Sequence, residues 1–188
     1  QWRGFDPYTT WRICTPHSLD ALLAEQGFTG QVHHIGVVRG YGVRHGPGPF
    51  PTEDPVLTHL LPDPPSARNK WQGQFRVGHF DAVLVRYAIK CCERIDSLAV
   101  TCLDRMAAID DWQICTRYKE GDQFVCDIPL GPYTDLEYQR ALTQCLFKME
   151  PFLESSTSQT DFETNVQEHI ARIESELHLP VSLLSFGP

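Results

Sequence analysis

The sequence predicts an α/β protein built on one mixed, largely parallel sheet flanked by helices, and three observations carry that reading. Phe80, Val83, Leu84, Tyr87, Ala88 and Cys91 fall at i, i+3, i+4, i+7, i+8 and i+11, the apolar face of a helix. Apolar and β-branched stretches stand on either side of it, Val32 to Val43 and Ser97 to Leu103, which is the order of a βαβ unit with parallel strands. The 188 residues, 41% hydrophobic and 21% charged, have the composition of one globular domain spanning 1–188. A chain of that size buries about 70% of its unfolded surface.

The remaining elements follow in chain order. From Ser18, the pattern Leu19, Leu22, Leu23 with Asp20 and Glu25 predicts a capped amphipathic helix ending at Gly27. Val32 to Val43 is interrupted by Gly36, Gly40 and Gly42, which suits a strand with close backbone neighbours better than a helix. Between Arg44 and Lys70, Pro47, Pro49, Pro51 and the Pro62 to Pro65 cluster rule out a long helix and predict a stiff, functional loop. The helix after it runs to about Ile95, and Asp104 closes the next strand. Trp112 to Tyr118 and Gln123 to Ile128 flank Glu120-Gly121-Asp122, the chemistry of a hairpin turn. Leu136 to Phe147 and Phe162 to Leu177 read as helices separated by a loop at Glu154 to Ser158, and Val181 to Ser185 reads as the last strand.

Composition removes several function classes. A net charge of -8 and a pI near 5.4 exclude a general nucleic-acid binder, because phosphate backbones are held by surplus Lys and Arg. No apolar run approaches the roughly 18 residues a membrane helix needs, so no membrane partner is expected. The seven cysteines (Cys14, Cys91, Cys92, Cys102, Cys115, Cys126, Cys145) lie in apolar segments without a C-x-x-C pair. That pattern predicts reduced, buried thiols and no zinc site. No signal peptide is visible, which makes the cytoplasm the expected location, and the absence of a leading Met predicts a native chain extending upstream.

One segment is dense in information. Arg44-His45-Gly46-Pro47-Gly48-Pro49-Phe50-Pro51-Thr52-Glu53 closely resembles the R-x-G-x-G-P-F-P-T-E segment of adenylosuccinate synthetases. Arg76-Val77-Gly78-His79-Phe80-Asp81-Ala82-Val83 resembles R-x-G-W-[LF]-D-x-V, Thr101 to Asp104 resembles T-K-L-D, and Cys115 to Tyr118 resembles the C-x-A-Y strand. Leu184 to Pro188 resembles I-S-x-G-P. These blocks occur in the family's order and span nearly the whole chain.

The resemblance implies the C-terminal half of that P-loop NTPase-like fold. It implies a GTP-dependent ligase of purine biosynthesis that joins IMP and aspartate, with GTP and Mg2+ as cofactors. GTP phosphorylates O6 of IMP, and the aspartate amine then displaces phosphate. In the family the Gly-rich loop with its catalytic base, the acid and the magnesium site lie in the N-terminal half, so no catalytic or metal residue is assigned here and the isolated chain is expected to be inactive. A homodimer is left open.

By the same resemblance, Asp104 pairs with the guanine N1 and N2 donors, and Ser185, Gly187 and Pro188 wrap the other edge of the base. Read without the family, Asp104 is as well an N-cap for a short helix at Arg105 to Ala108. The family Lys of this motif is Cys102 here. Thr10 matches a Thr that contacts the IMP phosphate, and Arg44, His45 and Gly46 occupy the turn that approaches the ribose. Where the family has T-T-G-R-x-R-R for aspartate, this chain has Lys70 to Arg76 with Gly73 and Phe75 in arginine positions, leaving Arg76 alone as the carboxylate ligand. Two further readings stand beside the ligase: a guanine-nucleotide-binding or regulatory domain without catalysis, and an α/β interaction domain.

Overall fold

The computed structural model describes residues 5–8, 15–63, 68–69, 73–132, 135–158 and 161–187. In chain order the elements are α1 (His17–Glu25), β1 (Ile35–Arg39), β2 (Gly42–His45), α2 (Pro55–Leu60), β3 (Arg68–Asn69), β4 (Gly73–Gly78), β5 (Phe80–Asp81), α3 (Ala82–Cys92), β6 (Ser97–Thr101), a 3-10 turn (Asp104–Ala108), β7 (Gln113–Glu120), β8 (Gln123–Val125), α4 (Leu136–Leu146), β9 (Glu150–Ser155), α5 (Phe162–Leu177) and β10 (Val181–Leu184).

The expected βαβ relation is present. β1 and β6 are adjacent and parallel, with Ile35 opposite Ser97 and Arg39 opposite Thr101, and α3 lies between them in sequence. β10 joins the other side of β6, also parallel, through a bulge between Val181 and Leu183. The α/β class therefore holds, but the strands sort into three hydrogen-bonded groups rather than one sheet. β2, β4 and β3 form an antiparallel group, and β7 pairs with β5 in parallel and with β8 and β9 in antiparallel fashion. The break is at Gly40 and Tyr41, where the stretch read as one strand bends, so that β1 enters one sheet and β2 another.

Helix ends follow local chemistry. The Asp81 side chain accepts the Leu84 N–H to start α3, Asp161 does the same for Thr164 at α5, and Asp54 caps α2 with Pro55 at its first position. α5 buries Val166, His169, Ile173 and Leu177, a stripe at three- and four-residue spacing. One buried cluster joins that stripe to Leu98 and Val100 of β6, Trp112 and Ile114 of β7, and Phe80. A second gathers Val83, Tyr87, Cys115, Tyr118 and Leu146.

Three local expectations need correction. α1 begins after Pro16 without a side-chain cap from Ser18, and none of its residues is buried, so its apolar pattern does not face a core among the described residues. The segment before the loop at 156–158 is a strand that the sequence reading did not contain, β9, which takes in Glu154 and Ser155 of the expected loop and pairs with β7 across a register shift; Pro151 and the interrupted alternation hide that strand in sequence. Asp104 does not cap the short helix: the capping position is Leu103, and no side chain bonds the free N–H groups there.

Candidate functional site

Two neighbouring surfaces hold the candidate residues. The first is the carboxyl end of the parallel sheet, where open α/β folds place ligands. After Thr101 the backbone turns through Cys102 at φ 60. The Leu103 N–H then donates to the Ser185 carbonyl at 3.1 Å, while the Ser185 N–H donates to the Val100 carbonyl at 2.9 Å. Asp104 and Ser185 are thus brought to one edge by main-chain bonds. The Asp104 carboxylate is exposed and takes no hydrogen bond or ion pair from the described residues. The Ser185 hydroxyl donates to the Gly187 carbonyl at 3.1 Å, and Gly187, at φ 141, faces open space. Pro188 lies outside the described residues.

The second surface is the β2–β4 pair. Arg44 stands opposite Arg76, and His45 opposite Phe75, with their rings 5.1 Å apart. Among the described residues Arg44 reaches only carbonyl oxygens, that of Tyr8 at 3.3 Å and that of Pro47 at 3.4 Å. Burial, and then the Arg76 charge, hold its pKa below the usual value. Gly48, at φ 120, lies so close under the Arg44 guanidinium that a side chain there would displace it. Arg76 is already engaged: it donates to Glu53 at 2.6 Å and to the Gly48 carbonyl at 2.8 Å, and lies over the Phe50 ring. The Gly46 N–H is likewise taken, by the Gln74 carbonyl at 2.9 Å. Thr10 and Lys70 lie outside the described residues.

Between β1, β2 and α3 lies a cavity of about 250 Å³ whose walls include Arg44, Phe50, Phe80 and Asp81. Asp81 is buried, and burial pushes its carboxyl up to about 6 against the bond from the Tyr118 hydroxyl at 2.6 Å. Burial and the nearby Asp81 in turn raise the Tyr118 phenol. The two surfaces meet at Gly40, whose N–H donates to the Thr101 carbonyl at 3.0 Å. Its carbonyl accepts from His169 Nε2 at 2.9 Å.

A sequence model of the family described as adenylosuccinate synthetase matches residues 1–188. The chain belongs to the adenylosuccinate synthetase family. The adenylosuccinate synthetase of Francisella philomiragia is 30% identical over 166 residues, 83% of this chain and 36% of that protein. That of Caldanaerobacter subterraneus is 31% identical over 159 residues, 82% of this chain and 36% of that protein. The chain therefore spans a little over a third of the length of the curated adenylosuccinate synthetases it matches. The fold agrees with that of the fully ligated adenylosuccinate synthetase from Plasmodium falciparum at a TM-score of 0.72, with 22% identity, over 98% of this chain and 44% of that one.

A free carboxylate at a strand end beside an open glycine suits a base that presents two adjacent donors, so guanine fits. Magnesium wants several converging oxygen ligands. Among the described residues no three His, Cys, Asp or Glu side chains gather in a way that could hold a metal ion. No described helix is long and apolar enough to cross a membrane.

Sequence reasoning missed His169 and gave Asp81 no role beyond its motif. A signal for His169 was present: it occupies a core position in the stripe Val166, Ile173, Leu177, and a polar residue in such a stripe has to be hydrogen-bonded.

Proposed function

We propose that this chain provides the base- and ribose-facing part of an adenylosuccinate synthetase-type ligase, the GTP-dependent joining of IMP and aspartate in purine nucleotide biosynthesis. The observation that carries the proposal is the Asp104 carboxylate, without a partner among the described residues and held beside Ser185 at the carboxyl end of β6, in a chain matched to the family over its whole length. In this reading Asp104 accepts from guanine N1 and N2, Ser185, Gly187 and Pro188 border the other edge, and Thr10, Arg44, His45 and Gly46 face the nucleoside monophosphate. In the reaction GTP phosphorylates O6 of IMP, and the aspartate amine then expels phosphate. This chain's part is to bind and orient, since phosphoryl transfer is catalysed largely by positioning and fixed charge.

A second reading, a guanine-nucleotide-binding domain without ligase activity, is favoured by Arg76. Its guanidinium is already bonded to Glu53 and Gly48, which leaves the aspartate carboxylate without the bidentate partner it needs. Calorimetric titration with GDP, ADP and IMP tests what both readings share. GDP should bind at least about tenfold more tightly than ADP, since an unmatched polar group costs about 1 to 3 kcal/mol. Asp104→Ala should erase that preference and leave the melting temperature in place. Equal affinity for GDP and ADP in the wild type would refute it. An assay with IMP, aspartate, GTP and Mg2+ separates the readings, because adenylosuccinate formed by the purified 188-residue chain excludes the second.

A further inference from the structure

His169 lies on the buried stripe of α5 with Val166 and Ile173 around it. The Phe80 ring stands edge-on at 6.0 Å and the Trp112 ring edge-on at 5.5 Å, so the pocket is otherwise apolar and aromatic. An imidazole placed there loses its hydration and holds its place only if both ring nitrogens are bonded. Both are. Nε2 faces the Gly40 carbonyl at 2.9 Å, a group that can only accept, so Nε2 carries the hydrogen and donates. Nδ1 is then the acceptor for the Ser156 hydroxyl at 2.6 Å. Ser156 is itself tied to the Trp112 carbonyl through its N–H at 2.7 Å, and its one hydroxyl hydrogen is shared between Nδ1 and that carbonyl, which lies 2.7 Å from Oγ. Burial keeps the ring neutral by lowering its pKa to about 4.

The acceptor of this chain of bonds is the joint of the candidate site. Gly40 follows the last residue of β1, and its N–H holds the Thr101 carbonyl at the end of β6. Two residues further on, β2 begins and leads to Arg44, His45 and Gly46; three residues beyond Thr101 stands Asp104. A phenylalanine would fill the space that His169 occupies but could not donate to the Gly40 carbonyl as the imidazole does. We propose that His169 is a positioning residue that, through Gly40, fixes strand β2, which bears Arg44, against the β6 end bearing Asp104. The inference rests on reading these two ends as nucleotide-facing surfaces.

The test compares His169→Phe, which keeps the volume without the bonds, with His169→Gln, whose amide can donate to Gly40 and accept from Ser156. Amide exchange by mass spectrometry reports the joint, and calorimetry with GDP and with IMP reports the two surfaces. In His169→Phe, exchange at 40–45 should rise about tenfold or more, while α5 and β7 stay protected. Affinity for both nucleotides should fall by about tenfold, the worth of one hydrogen bond. His169→Gln should restore most of both. Ile173→Val, on the same helix, serves as the control for general loosening and should lower the melting temperature without moving either readout. Unchanged exchange at 40–45 in His169→Phe, a glutamine variant no better than phenylalanine, or the same changes in Ile173→Val would each overturn the proposal. A wild type that binds neither nucleotide removes the functional reading, and the exchange data then decide the joint alone.

Discussion

Two buried groups with opposite shifts set the pH dependence of stability, and each conceals the other. Burial lowers His169 from 6.5 to about 4, and burial raises Asp81 from 3.8 to about 6 against its bonds from Tyr118 and Leu84. Between pH 4 and 6.5 the unfolded chain protonates the histidine and the folded chain does not, so this stability is full above 6.5 and is lost as pH falls toward 4. Between pH 3.8 and 6 the folded chain keeps the Asp81 proton that the unfolded chain has released, so that stability is full below 3.8 and is lost as pH rises toward 6. At about 1.4 kcal/mol per pH unit, each window spans about 3 kcal/mol. The slopes are opposite and the windows overlap, so these two contributions cancel in the wild type. Removing one reveals the other. His169→Gln should lose about 3 kcal/mol relative to wild type as pH rises from about 4 to 6.5, and Asp81→Asn should gain about as much relative to wild type over the same range. Urea unfolding followed by tryptophan fluorescence at half-unit steps gives these difference curves. Variant curves that run parallel to wild type would refute the account of both groups.

Two further outcomes follow from the β2–β4 surface. Gly48→Ala places a side chain under the Arg44 guanidinium at φ 120, and should cost about 1 to 3 kcal/mol with a parallel loss of IMP affinity; thermal melts and calorimetry check it. Glu53→Gln leaves Arg76, across the strand pair from Arg44, without its carboxylate partner, and should cost about 1 kcal/mol because the pair is partly exposed. Melting curves should show that inorganic phosphate recovers more stability in this variant than in wild type.

How much was legible depended on the range of the interaction that decides each feature. α3, α5 and the β7–β8 hairpin were readable because apolar periodicity and the Gly121 turn are local; the Asp81 and Asp161 caps are equally local but were not read. β9 was not, because its residues become a strand only by pairing with β7. The division of the sheet at Gly40 also escaped, since glycine permits a bend without announcing one. For the site, sequence put Asp104 and Ser185 at strand ends, which is where the fold has them, but it read Arg44 and His45 as part of a turn, whereas they lie in strand β2 and only Gly46 follows it. It offered Arg76 as a free carboxylate ligand because the Glu53 that neutralises it lies 23 residues away. His169 reaches Gly40 across 129 residues, a separation no motif spans.

The all-parallel sheet has a consequence for the chain in solution. Val37 on β1 is 70% exposed and Leu183 on β10 is 55% exposed, whereas parallel sheets are ordinarily packed on both faces. Among the described residues the outer edge of β1 pairs with no strand, so its N–H and C=O groups can template another chain. What opposes such contact is the net charge of -8, which repels like copies at long range. Added salt shortens that repulsion to about 8 Å at physiological ionic strength, while strengthening exclusion of apolar surface from water. Among the described residues this face and edge are therefore the place where a further segment or another chain would pack, and such contact would strengthen with concentration and ionic strength.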